Sequence, residues 1–512
     1  MAKTSSLILL VNSLTKAEKR YFKLYTSLQK GDKNYLDLFD LLGTKLYKKP
    51  AELKQEFKKK HPAASYEITS KYLYSILMEA LLHLKNSGHD ETVRMNNHLS
   101  MAKILFDKSL YSEGFSELKK MQKLAAKREN YIMHLSAIKL ELHYRNQLNF
   151  QDLSENDLIQ NQMKVSALIK SINSMHQHLS LYELLRHRHI YKGNVRTPRQ
   201  KQELNDLVVS ELNLMSNLSH NTFEKNKIHL LFQSSYCINV GDYKSALKTF
   251  YELNQLFEHN KHLWEESAID YLTCLEGILD SLHTIKKYEE ITFYIDKISK
   301  LEFGSNLFSL LKYRIIFIYK VLSLTDRGLY SEALNLIDEF EDKLFKHIAI
   351  LGSNIEAEVF LYIALIYFGN GNMLSAIKYL NKVLLDNNMY YKLPEYKTFR
   401  LIRLLAHYEL ANMDFVQYEV NSFKRQMNVR DKAFLLEKLI FRFIQETSVP
   451  LTSKKRQALW NKLQPSFEKI SSDKFEIQLL KIFDFTTWVE SKLCRKSFVQ
   501  LIREKNLVLQ EA

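Results

Sequence analysis

Along the C-terminal half of this 512-residue chain one short signature returns: a helix-breaking Gly, a bulky residue two positions on, and an Ala five positions on. It reads as Gly241, Tyr243, Ala246, then Gly328, Tyr330, Ala333, then Gly371, Met373, Ala376. Apolar stretches of helical character precede each Gly and follow each Ala, so each copy predicts two antiparallel helices joined by a tight turn. The chain therefore reads as a stack of helical hairpins, an architecture that serves as a binding surface far more often than as a catalyst. Breakers are scarce enough to agree, because 12 Gly and 6 Pro are too few for the many turns of a β-rich fold. Pro50, Pro62, Pro198, Pro394, Pro450 and Pro465 are all expected where a loop is convenient.

The glycines set the period. Gly371 follows Gly328 by 43 residues, and Gly328 follows Gly241 by 87, about twice that, which demands a copy midway. Lys286, Tyr288 and Ile291 keep the spacing there, with Lys for Gly and Ile for Ala. Downstream, Asn412 before Asp414 and Phe415 is the expected left-handed turn residue. Upstream, Ser109, Tyr111 and Gly114 form a degenerate copy, and two further turns fit near Asn149 and Gly193.

These residues resemble the tetratricopeptide repeat (TPR) family. In the clearest copy Ala364 matches the small residue of the first helix, Tyr367 the ring position, Gly371 the turn, and Ala376, Leu380 and Val383 the second helix. In the copy at Gly241 the matching residues are Ser234, Gly241, Tyr243, Ala246 and Phe250. The family's Trp is missing from both, Asn388 stands for its closing Pro, and the period exceeds the usual ~34 residues. Helices longer by about one turn each account for the excess, which marks a divergent, long-helix type.

The resemblance implies an all-α, right-handed superhelix of antiparallel hairpins, a TPR-like α-solenoid with helical caps. Residues 1–90 read as a basic helical region, 91–450 as repeats of about 43 residues, and 451–512 as a C-terminal cap. In that family the inward positions of each first helix line a groove for a peptide or helix. Here they are Ile228, Leu231, Ser235, Ile238 and Asn239, and Glu358, Leu361, Leu365 and Phe368, followed by Gly369. Being largely apolar, they imply an amphipathic helix as ligand, or another part of the same chain. The function expected is a non-catalytic protein-interaction scaffold or adaptor.

Nothing in the sequence names a reaction or a cofactor. There is no phosphate-cradling Gly-rich loop and no dinucleotide fingerprint. His176, Glu183 and His187 share one helical face, but Arg186 and Arg188 beside them would repel a cation. Cys237, Cys274 and Cys494 are far apart and lack metal-ligand spacing. The apolar run SLILLV ends at Asn12, and YRIIFIYKVLSL carries Arg314 and Lys320, so neither a secretory signal nor membrane insertion is expected, and the setting reads as cytoplasmic.

Charge points to a second partner class. Residues 1–62 hold 14 Lys plus Arg against 6 Asp plus Glu, a net of +8 out of +15 for the chain. Nucleic acid is therefore the alternative partner, through a basic N-terminus whose segment 48–77 can be bent into a helix-turn-helix, with the solenoid sensing or recruiting. Thr15 with Glu18 predicts a capping box opening a helix, Tyr390, Tyr391, Pro394 and Tyr396 cluster in a linker, and Trp460 and Trp488 are expected to cover core at the C-terminal end.

Overall fold

The computed structural model describes residues 2–27, 34–44, 50–86, 90–151, 153–193, 195, 198–216, 222–264, 268–385, 396–430, 435–447, 452–473 and 476–511. Among them the regular structure is helical, with no strand. Two compact units, Met1–Ile172 and Asn173–Ala512, divide the chain within the helix Glu155–Lys192.

In the first unit, Lys16–Ser27, Asn34–Thr44, Pro50–Lys60 and Tyr66–Asn86 join the opening helix around a core containing Leu7, Phe22, Leu38, Phe57, Leu73 and Leu77. Thr15 caps the second helix reciprocally: its N–H donates to Glu18 at 2.7 Å, and the Glu18 N–H returns to the Thr15 hydroxyl at 3.2 Å. Three helices of equal length follow, Glu91–Asp107, Tyr111–Lys127 and Tyr131–Gln147. Residues in left-handed backbone, Ser109, Glu129 and Asn149, close them at intervals of 20. Gly114 takes the Ala position for a steric reason, because a Cβ there would lie 2.5 Å from the Phe106 ring.

One turn design recurs in the second unit. At the end of Phe223–Asn239, the Gly241 N–H donates to the Ile238 carbonyl at 3.0 Å and the Asp242 N–H to Cys237 at 2.9 Å, a Schellman motif that satisfies two orphan carbonyls. Asp242 then caps the next helix, accepting from the Ser245 N–H at 3.2 Å, so a handful of residues reverses the chain. The same hydrogen-bond pair closes the turns at Lys286, Gly328, Gly371 and Ala411, all at positive φ. Asn412 is thus not the left-handed residue but the cap after it, accepting from the Phe415 N–H at 3.4 Å as Asn372 does from Ser375 at 3.1 Å.

Each turn joins a first helix to a second: Phe223–Asn239 to Tyr243–His259, Ala268–Thr284 to Tyr288–Ser299, and Asn306–Thr325 to Tyr330–Phe340. Ser353–Gly369 with Met373–Leu384, and Tyr396–Glu409 with Met413–Arg430, complete the series. Ala246, Ala333, Ala364 and Ala376 are fully buried, as is Ile291 in the copy without Ala. Tyr243 and Tyr330 are buried, and Tyr367 is half-buried, stacked on Tyr379. Adjacent hairpins meet through rings seated on glycine: a Cβ at Gly369 would fall 2.0 Å from the Tyr330 ring, and one at Gly277 2.1 Å from Phe250.

Prolines depart from the expectation. Pro50 and Pro198 open helices, where a missing N–H costs nothing, and Pro465 lies inside Ser453–Ser472 rather than in a loop. Tyr390, Tyr391, Pro394 and Pro450 lie outside the described residues.

Candidate binding surface

The first helices of the second unit carry a ladder of charges. Lys227 donates to Glu224 at 3.0 Å and to Asp270 on the next first helix at 2.8 Å. Arg314 joins three of these helices, donating to Glu276 at 2.5 Å and to Glu358 at 2.9 Å. Burial pushes the Glu276 carboxyl up against the pull of Arg314, and it raises the Tyr319 and Tyr362 phenols beside the ladder. Lys481, from the C-terminal region, reaches Asp280 and lies 5.1 Å from the Tyr243 ring centroid.

Only part of the expected groove faces solvent. Ser235 and Ile238 are half-buried and Glu358 is held by Arg314, whereas Ile228, Leu231 and Asn239 are buried. Asn239 is occupied on both sides, its side chain bonding His189 at 3.0 Å and its carbonyl accepting the Val195 N–H at 2.9 Å. At the clearest repeat Leu361, Leu365 and Phe368 are 3, 4 and 3 % exposed. The Phe368 ring meets Phe483 at 5.3 Å and Phe498 at 6.4 Å, so the chain's own C-terminal segment covers this position.

That segment continues along the stack. Trp488, on Phe485–Cys494, is fully buried and donates its indole N–H to Glu409 at 2.6 Å, beside Lys492 on the same carboxylate. Arg503, on Phe498–Glu511, donates to the Gly328 carbonyl at 3.0 Å. Residues 481–503 thus contact hairpins turning at 241, 286, 328, 371 and 411, where only a cover for the last hairpin was expected; Trp460 is half-buried, stacked on Phe467.

The histidines sort differently from their sequence pattern. His176, Glu183 and His187 are exposed, while His178, on another face of that helix, is buried. His178 and His229 each donate Nδ1–H to Glu211 Oε1 at 2.9 Å, and although burial acts to raise this carboxyl, the two imidazoles hold it below its ordinary value. Among the described residues no group of three His, Cys, Asp or Glu is placed to hold a metal ion, and no helix is long and apolar enough to cross a membrane. Burial pushes the Cys237 thiol up to about 11 and raises Cys274 as well, which suits packing.

In the first unit, Tyr66–Asn86, the reader helix of the helix-turn-helix expectation, buries Tyr66, Leu73, Ile76 and Leu77 and exposes Ile68, Tyr74, Met78 and Leu82. Lys71, Ser75 and Lys85 are exposed on it as well. Basic side chains are also exposed on two helices before it: Lys16, Arg20 and Lys23 on Lys16–Ser27, beside half-buried, stacked Tyr21 and Tyr25 and with Lys23 pairing to Asp40 at 2.7 Å, and Lys58, Lys59 and Lys60 on Pro50–Lys60.

Periodicity of small and apolar residues missed the ladder, although it left a signal. Lys227 and Asp270 are 43 positions apart, His283 and Asp326 43, and Arg314 and Glu358 44, so a nitrogen donor and its carboxylate recur one repeat away from each other. Comparison with family models, with curated proteins and with solved structures gives no match.

Proposed function

We infer that the chain is a non-catalytic protein-interaction scaffold, a TPR-like solenoid whose first helices receive a partner helix. One observation carries this reading: the groove position Phe368 already meets the chain's own C-terminal segment through the rings of Phe483 and Phe498, and the helix that Phe498 opens sets Arg503 on the neighbouring turn at Gly328. A surface that seats a helix in cis has the shape and chemistry to seat one in trans. The recurring Schellman turn supports the superhelix, because equal turns at near-equal spacing repeat one hairpin geometry. Free thiols at Cys237, Cys274 and Cys494 fit a reducing, cytoplasmic setting.

The test uses a photocrosslinking amino acid at Ser235 or Ile238, groove positions that are only half-buried, with Phe293, which is exposed on a second helix, as control. The scaffold reading expects one defined protein adduct from the groove positions and none from the control. No adduct, or the same adducts from all three, rejects it.

The exposed Lys16, Arg20 and Lys23 beside Tyr21 and Tyr25 favour a second reading, nucleic-acid association, since cations and rings interleaved on one helix suit phosphates and bases. Affinity for single-stranded DNA falling steeply with salt supports it; no binding at ~50 mM salt removes it.

A further inference from the structure

The C-terminal segment grips the stack with two different strengths. Phe485, Trp488 and Val489 are fully buried and belong to the core. The terminal helix Phe498–Glu511 follows four exposed residues, Cys494 to Ser497, with Arg495 in left-handed backbone. Its described contacts with the hairpins are few: the Phe498 ring 6.2 Å from Tyr330 and 6.4 Å from Phe368, and Arg503 on Gly328; Leu501 and Ile502 on the same helix are buried. To the rest of the C-terminal segment it is tied by the Phe498 ring 5.2 Å from Phe483, by ion pairs at partly exposed side chains, Lys496 with Glu504 and Lys505 with Glu490, and by the Lys505 bond to Thr487.

The seat is specific in two ways. Gly328 is the left-handed residue after Asn306–Thr325, where that helix ends in partial negative charge, and its carbonyl takes the Arg503 guanidinium. A Cβ at Gly328 would lie 2.8 Å from Arg503 Cγ and 3.1 Å from the Val499 carbonyl, so this glycine lets the terminal helix come close. The seat is therefore built for a helix with an apolar face and a cation next to it.

Resting on the scaffold reading, we propose that Gly328, Tyr330, Phe368 and Phe483 form a docking site for an amphipathic helix of a partner protein. That helix carries an aromatic residue followed by Leu, Ile and Arg at the third, fourth and fifth positions on, the pattern of Phe498, Leu501, Ile502 and Arg503. The terminal helix is the resident occupant, and the partner exchanges with it. Tethering gives the resident a high effective concentration, so the free chain keeps the site covered until a partner with the same anchors outcompetes it.

The probe is a fluorescein-labelled peptide of residues 496–511, titrated by anisotropy into the full-length chain and into the full-length Leu501→Asp, Ile502→Asp double variant. The variant should keep the parental helical signal and bind the peptide at least tenfold more tightly than the parent. A peptide with Arg503→Glu should lose that binding. Amide exchange in the parent should show residues 499–506 opening faster than 486–493. The proposal is overturned if the variant unfolds, if both chains bind the peptide alike, or if the two helices exchange at one rate. Light scattering that finds the parent dimeric through exchanged terminal helices overturns it too, in favour of a second copy as occupant. Peptide binding without a crosslinked partner at Ser235 and Ile238 leaves the seat standing and sinks the scaffold reading; the reverse result sinks only the seat.

Discussion

At position 411 an alanine holds the left-handed backbone, φ 55°, that glycine holds at 241, 328 and 371. A Cβ in that conformation costs roughly 1–2 kcal/mol, of which the greater unfolded freedom of Gly returns part. Ala411→Gly is therefore expected to stabilise the chain by about 0.5–1 kcal/mol, read as a higher denaturation midpoint at unchanged m-value. Gly277→Ala acts in the other direction. The new methyl would land within the Phe250 ring, so overpacking of about 1–3 kcal/mol is expected, and relief by Phe250→Leu in the same chain would confirm the cause. The two kinds of turn residue also divide what the sequence shows from what it hides. Lys286 was legible by arithmetic alone, as the midpoint of an 87-residue gap, because its neighbours Tyr288 and Ile291 keep the repeat spacing. Glu129, equally left-handed, lies 20 residues from its neighbouring turns, about half the repeat period, and is itself neither Gly nor Asn.

Among elements, Arg314 couples three first helices through one side chain, tying Asn306–Thr325 to Ala268–Thr284 and to Ser353–Gly369. Arg314→Met keeps the apolar stem but leaves Glu276 and Glu358 facing each other without their cation. Both carboxylates are partly exposed, which tempers the cost to roughly 2–3 kcal/mol. Differential scanning calorimetry should show this as a lower, broader transition, since the lost contact sits between hairpins rather than inside one. A melt as sharp as the parent's would place the coupling in the apolar contacts alone. Hairpins were readable because their determinants are local: Gly at the turn, Ala at the crossing, a ring two residues after the turn. The cover over Phe368 was not, because Phe483 and Phe498 lie more than 100 residues away and follow no period that Phe368 shares. The apolar character of the expected groove positions left open a foreign helix or another part of the same chain, and at Phe368 that choice needed the long-range pairing.

For the whole molecule, pH is the sharpest probe of the buried polar contacts. Burial alone would raise the Asp326 carboxyl, but His283 and Lys286 beside it hold it well below the usual carboxylate range, and Glu211 and Glu258 are lowered as well. A carboxylate lowered on folding contributes stability that is present above its unfolded value of about 4 and is lost as pH falls towards the folded value. The melting temperature should therefore change little from pH 7 to 5 and drop below about pH 4, and Asp326→Asn should flatten that drop while lowering stability at pH 7. A loss already complete by pH 5 would assign the transition to histidine instead. The contact from Arg503 to Gly328 spans 175 residues of chain, whereas each hairpin closes through bonds only a few residues long. On a ribosome adding about 5–20 residues per second, the hairpin at Gly328 waits roughly 9 to 35 seconds for the helix that will lie on it. From the moment Phe368 is made until Phe483 and Phe498 follow it, its ring lacks those two partners, so the nascent chain presents to chaperones and neighbouring chains a sticky surface that the finished protein conceals.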